Sequence, residues 1–333
     1  LKSYIIGFIV LIGSIWLVLN YTSSAPGQSF SGRGAPPTSD EEDAADRLAG
    51  LCEDLSVDIG PRGGHSAGSQ EQVERFLQRE LRRLHFDPVE IPLDCAGVPG
   101  KVFEVMIPGR TLGRETILLT AHYDSAPGSP GADDNATGVA MLLEVLRTLS
   151  GGSLDRTLRA AIWSGGALPT AGTEQSAAAA YAKRLHTRHE NVAAILCFDS
   201  VGIYSDTPGG QHVPFPLDYC FPDTGDFVAF VGDWGSRGIM DHALEQFRTY
   251  CKFPSQAFNL PSAMDFASLS DDGVLRDAGY PALRVTDTGA WRNPAVGTPS
   301  DVVANLDYKR MARVAKGVTD MLVGLGKRTT PLL

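Results

Sequence analysis

The chain has 333 residues, 43% of them hydrophobic and 20% charged, an ordinary globular composition with room for one large α/β domain. Its formal charge of −10 argues against nucleic acid as a partner, because that binding needs basic surfaces that neutralise phosphate. The five cysteines (Cys52, Cys95, Cys197, Cys220 and Cys251) are too few and too scattered for a disulfide framework or a cysteine zinc site, and Cys220 with Cys251 is one possible pair.

Tyr4 to Leu19 is apolar apart from Gly and Ser, with Lys2 the nearest charge. At about 1.5 Å per residue, Tyr4–Tyr21 reaches across a bilayer core of roughly 30 Å. Tyr4, Trp16 and Tyr21 suit its two interfaces. Residues 1–21 are therefore expected to be a transmembrane signal anchor. Lys2 would lie inside and the acidic run Asp40–Asp43 outside, leaving the domain on the extracytoplasmic side. The alternative is a signal peptide cleaved near Ser23-Ser24-Ala25, which would secrete the domain. Residues 22–40 are rich in Ser, Gly and Pro and read as a flexible linker. The domain is expected over 41–327, with a short tail at 328–333.

Ser39 or Asp40 caps a first helix that runs to about Leu55. Val73, Phe76, Leu77, Leu81 and Leu84 give helical spacing to Gln70–His85. Pro88–Pro92 and Val102–Ile107 read as a β-hairpin, and Ile117–Thr120 as a buried strand. Thr137–Leu149 has the apolar spacing of a crossover helix. Arg159–Trp163 is the next strand, followed by an Ala-rich helix near Ser176–Arg188 and a buried strand at Ala193–Asp199. Gly202–Gly235, with its Pro, Gly and aromatic residues, reads as one long irregular segment of the functional kind. Gly238–Tyr250 is a helix, Pro281–Thr286 a strand and Leu306–Leu325 a closing helix. This alternation predicts an α/β fold: a mixed, mostly parallel central sheet with helices on both faces.

The chemistry concentrates between Leu118 and Leu149. His122 and Asp124 leave the carboxyl end of a strand two residues apart, and Asp133, Asp134 and Asn135 precede the crossover helix. Open α/β sheets place their sites at such strand ends. A histidine with carboxylates there is a metal-site composition, because imidazole suits zinc and a carboxylate can bridge two ions.

AHYDS (121–125) and PGADDNATGVA (130–140) resemble the signature of the two-zinc aminopeptidase family, whose relatives include glutamate carboxypeptidases and glutaminyl cyclases. Gly60-Pro61-Arg62, CFDSVG (197–202), GYPALRVTDT (279–288) and RNPAVGTPSDVVANLDY (292–308) extend the resemblance over about Gly60 to Leu325. The resemblance implies zinc chemistry at amino-terminal peptide groups. It makes Asp134 the bridging ligand, His122 and Asp199 the remaining ligands of the first ion, and Asp124 the group that orients His122.

The same matching leaves gaps. The family's general base falls at Gly166, the carboxylate ligand of the second ion at Ala167 and its histidine at Gly297. None of these side chains accepts a proton or binds a metal. The expectation is one zinc ion at most, no second ion and lost or strongly impaired peptidase activity, with the cleft kept for a peptide or a protein N-terminus. Glu174 and Asp272 are the main candidates for rescue, with His242 and Asp265 behind them, and His212 reads as a surface residue. An active enzyme with a rearranged site is the alternative. The glutaminyl cyclase branch holds its one zinc with Asp, Glu and His, and two of those positions fall at Ala167 and Gly297.

Overall fold

The computed structural model describes residues 2–32, 34–64, 67–167, 171–261, 270–327 and 332. Its frame is one mixed eight-stranded sheet in the order β1-β2-β4-β3-β5-β8-β6-β7. The strands are β1 (Val89–Cys95), β2 (Val98–Ile107), β3 (Leu112–His122), β4 (Arg156–Trp163), β5 (Asn191–Phe198), β6 (Val228–Asp233), β7 (Ser255–Leu260) and β8 (Ala282–Thr286). The centre, β4-β3-β5-β8, is parallel. The hairpin β1–β2 joins β4 antiparallel, and the parallel pair β6–β7 joins β8 antiparallel through β6. The predicted α/β class and helices on both faces are what the chain forms.

The sheet's two faces follow from the two-residue period of a strand. Ile117, Leu119 and Ala121 of β3 face one core, shared with α2 (Ser39–Glu53), α3 (Ala67–Arg83), α4 (Gly138–Leu149), α6 (Arg237–Tyr250) and α8 (Tyr308–Lys327). Leu118 faces the other, shared with α5 (Ala177–Thr187) and α7 (Asp271–Asp277). β4 and β5 are buried along almost their whole length, as strands covered on both faces must be.

Helix α2 starts on a reciprocal cap. Glu41 N–H donates to Thr38 Oγ1 (3.2 Å), and Thr38 N–H donates to Glu41 Oε2 (3.0 Å). Thr38→Ala should lower stability by about 1 kcal/mol, read as a shifted denaturant midpoint at unchanged slope.

Three expectations change. The segment expected to be irregular over 202–235 contains β6, and β7 follows at 255–260, where no strand was expected. Both are buried, and their strand character comes from sheet neighbours more than from local alternation. Cys220 and Cys251 are not paired, and all five cysteines are free. Where a loose linker was expected, Arg248 Nη1 donates to the carbonyls of Pro26 (2.8 Å) and Gly27 (3.1 Å), and Ser255 N–H donates to Ser29 Oγ (2.9 Å).

The apolar N-terminal helix α1 (Lys2–Ser23) reaches a mean hydropathy of 2.1 in an 18-residue stretch within Ser3–Ser23, long and apolar enough to cross a membrane. Signal anchors and signal peptides both carry helices of this length and composition. Its C-terminal turns lie against β7, covering what would be an open sheet edge.

Candidate metal site

β3 and β5 are adjacent and parallel, with Thr120 opposite Cys197. Two residues further along, both strands end, and His122 and Asp199 emerge side by side above the sheet. Asp134 reaches the same point from the loop that opens α4. His122 Nε2 lies 3.2 Å from Asp134 Oδ1 and 3.9 Å from Asp199 Oδ1. One donor atom from each of His122, Asp134 and Asp199 lies within 4.8 Å of the others. The three residues expected to hold the first ion are therefore together.

The other imidazole nitrogen is directed elsewhere. His122 Nδ1 is 3.1 Å from the Asp124 carbonyl and 3.4 Å from Asp124 Oδ1. Asp124 is fully buried, and the N–H groups of Gly166 and Ala167 donate to its two oxygens, each at 3.0 Å. A carboxylate so placed fixes the ring, and Nε2 faces Asp134 and Asp199. Burial works against charge on both partners, yet their mutual attraction prevails. The His122 pKa is held well above 6.5 and that of Asp124 below 3.8. Burial, then the neighbouring charge of Asp134, pushes Asp199 up.

The loop under Asp134 is held from several sides. Asp133 N–H donates to Asp301 Oδ1 (2.9 Å) and Asp134 N–H to Asp301 Oδ2 (3.1 Å). Asn293 Nδ2 donates to Asp133 Oδ2 (3.0 Å), and Asn135 Nδ2 donates to the Phe198 carbonyl (2.9 Å). Arg62, fully buried, donates through Nε to the Tyr123 carbonyl (2.7 Å), through Nη1 to Pro130 (2.5 Å) and through Nη2 to Gly131 (2.8 Å). Arg62→Ala would strand those carbonyls in a dry interior, and it should destabilise the domain, measured by chemical unfolding, because each buried acceptor left without a partner costs roughly 1–3 kcal/mol.

At the positions that the resemblance assigns to the general base (Gly166) and to the second ion (Ala167 and Gly297), no side chain can donate to a metal or accept a proton. Gly166 lies against the His122 ring: a Cβ there would sit 2.3 Å from His122 Cγ and 2.6 Å from Cδ2. Gly297 differs. It adopts φ +73°, and the nearest atom to an added Cβ is Ala126 Cβ at 3.8 Å, so the side chain is missing and the space remains.

Among the described residues, the metal-capable cluster around His122 contains Asp134 and Asp199 and none of the rescue candidates. Glu174 is exposed and lines a groove with Lys183, His186 and Asp277. Asp272 is buried against Arg276 and lies 3.6 Å from Arg284; burial opposes its charge, but those two guanidinium groups hold its carboxyl below the usual range. His242 lies on α6, and His212 is exposed with its N–H bonded to the Trp291 carbonyl. Asp265 lies outside the described residues.

Two residues near the site were not anticipated. Arg284 on β8 places Nη1 3.7 Å from Asp199 Oδ2; a lone arginine in the apolar strand PALRVT was the available signal. Asp271 accepts a hydrogen bond from Trp163 Nε1 (2.8 Å), and Trp163 is paired with His122 across β3–β4. Its other oxygen is buried with no hydrogen-bond partner among the described residues, and burial pushes its carboxyl up to about 6.

An imidazole and carboxylates converging at strand ends of this sheet define a metallopeptidase-like protein. The sequence profile of peptidase family M28 matches residues 104–322, and the chain belongs to that family. It is 29% identical over 215 residues to the uncharacterized protein YfbL of Escherichia coli, covering 62% of this chain and 66% of that one. It is 25% identical over 239 residues to the probable aminopeptidase YDR415C of Saccharomyces cerevisiae, covering 67% and 56%. The matched parts thus amount to less than two thirds of each relative's length. The fold is that of BSAP, a zinc aminopeptidase from Bacillus subtilis, with TM-score 0.64 and 14% identity over 86% of this chain and 97% of that one.

Proposed function

We propose that this M28 chain is a membrane-anchored relative of the zinc aminopeptidases, with its domain on the extracytoplasmic side. It holds one zinc ion at most, has little or no peptidase activity, and keeps its cleft for a peptide or protein N-terminus. His122 Nε2, Asp134 and Asp199 offer nitrogen and oxygen donors of the kind zinc takes, and they would hold the ion. Zinc bound there would supply a Lewis acid. Asp124 keeps the imidazole turned toward it, and Asp301 fixes the backbone that carries Asp134.

The observation that carries the loss is the packing of Gly166 on His122. A carboxylate at this position needs a Cβ where the imidazole already stands. Removing a general base typically lowers a rate ~10²–10⁴-fold. Losing a second Lewis acid removes several kcal/mol more, by order of magnitude. Metal analysis of the purified full chain, paired with an aminoacyl chromogenic assay, tests this. One zinc or none per chain with negligible turnover is expected; two tightly held zinc ions sink the reading.

Asp271 favours a second reading, an active hydrolase with a rearranged site. It is an acid beside Trp163 with a spare buried oxygen and a pKa near the neutral range. Chelator-sensitive turnover that disappears in both Asp134→Ala and Asp271→Asn would select it.

A further inference from the structure

The loop at Pro214–Cys220 presents two large aromatic side chains to the outside, Phe215 at 77% and Tyr219 at 78% exposure. Their rings pack against each other at 6.1 Å between centroids, so they form one patch. Between them, Pro216 and Leu217 turn inward. With Pro261 and with Ser14, Ile15, Val18, Leu19 and Thr22 of α1, they line a cleft of about 280 Å³. The aromatic patch therefore borders the apolar helix.

The attachment of α1 to the domain is specific. Cys220 Sγ lies 3.8 Å from the Leu19 carbonyl. Arg237 Nη1 donates to the Tyr21 carbonyl (2.9 Å), and its guanidinium stacks 4.8 Å from the centre of the Tyr21 ring. Trp234 meets the same ring edge-on at 5.5 Å. Thr22 is 1% exposed.

Depth follows from helix geometry. The 22 residues of α1 rise about 33 Å, little more than the hydrocarbon core of a bilayer. Ile15 and Leu19 stand about 12 and 6 Å short of the helix end at Ser23. Whatever packs against them shares their depth when α1 spans the membrane. Pro216 and Leu217 do, and Phe215 and Tyr219 flank them.

We infer that the Phe215–Tyr219 loop is a bilayer contact that enters the membrane interface beside α1 and holds the domain against the membrane. Its partner is the boundary between headgroups and acyl chains. Aromatic residues favour that zone, because their rings are apolar while Tyr219 keeps a hydroxyl for water or headgroups. The charge of Asp218, exposed in the same turn, suits headgroup depth and excludes the bilayer centre. Continuity with α1 argues for lipid: the patch and the cleft open along the flank of a helix whose residues 4–12 are more than half exposed at most positions and apolar. The inference rests on the anchored reading above.

The test uses the full chain in phosphatidylcholine vesicles, with Cys220→Ser removing the one cysteine that is not buried. An environment-sensitive fluorophore is attached at Phe215→Cys, Tyr219→Cys, Ile12→Cys and Met106→Cys in separate preparations. Met106 is exposed on β2, six strand spacings or about 29 Å across the sheet from β7. Labels at 215 and 219 should shift to the blue, brighten several-fold, and be quenched by lipids spin-labelled near the headgroup and not by aqueous iodide. The label at 106 should do the reverse. If 215 and 219 behave like 106 while 12 is quenched by lipid, the anchor stands and the bilayer contact is overturned. If 12 also behaves like 106, both fall. A protein partner for the patch would give the first of these two failures.

Discussion

Gly166→Glu is expected to destabilise the domain by roughly 1–3 kcal/mol, the usual penalty for forcing atoms into a packed site, and, on the reading proposed above, to leave peptide hydrolysis negligible. The new Cβ would overlap His122, whose Cγ and Cβ would be 2.3 and 2.4 Å away. Relief must come from the ring or from the loop. Moving the ring withdraws Nε2 from Asp134 and Asp199 and breaks up that three-residue cluster. Moving the loop breaks the N–H bonds from Gly166 and Ala167 to Asp124, a carboxylate with no exposure. Hydrogen bonds to a charged group are worth about 1.5–3 kcal/mol each. Gly297→His makes the informative contrast. The space there is open, and the penalty is the positive φ, about 1–2 kcal/mol for a residue with a Cβ. Denaturant unfolding and zinc content of the two variants separate the cases. A Gly166→Glu protein as stable as the parent, binding zinc and cleaving aminoacyl substrates, would mean that the base position is dormant and not closed.

The contrast between these glycines shows where the sequence could be read and where it could not. His122 was legible at the end of a plain strand, Asp134 and Asp199 through the resemblance of PGADDNATGVA and CFDSVG to the aminopeptidase motifs, and parallel pairing of β3 with β5 brings the three together. The absence of donors at Gly166, Ala167 and Gly297 was legible through the match to the family's motifs. Crowding at one glycine and vacancy at another were not, since a glycine in a loop reads as freedom until its neighbours are placed. Asp271 and Asp272 make the same point about orientation. The adjacent acids begin one short helix, and only the docking of α7 decides that Asp272 turns toward Arg276 and Arg284 while Asp271 turns toward Trp163. β7 escaped notice because SQAFNL mixes polar and apolar residues without alternation, yet pairing with β6 and cover from α1 make it a buried strand.

Zinc binding should tighten as pH rises, by up to about tenfold per unit for as long as His122 holds its proton, and should release that proton. The metal and a proton compete for His122. With Asp124 and Asp134 beside it, the imidazole keeps its proton well past 6.5 despite its burial. A histidine raised in this way stabilises the metal-free fold fully below its unfolded pKa and progressively less as pH rises through the folded one. Buried acids with raised values act in the same direction at lower pH. Burial pushes Asp271 and Asp287 up to about 6, so the native state holds their protons between 3.8 and 6 while the unfolded chain has released them. The metal-free domain should therefore lose stability as pH climbs from about 4 through 7. Carboxylates lowered by cations, such as Asp272 and Glu144, matter at the other end, where their contribution is lost as pH falls below 3.8 to 4.5. Zinc reverses the loss, since it binds the deprotonated form and adds about 2.7 kcal/mol when free zinc is a hundredfold above its dissociation constant. Chelator competition and thermal melts across this range measure both slopes. A zinc affinity flat with pH, or one unchanged in His122→Asn, would remove the imidazole from the site and leave the converging carboxylates without a metal role.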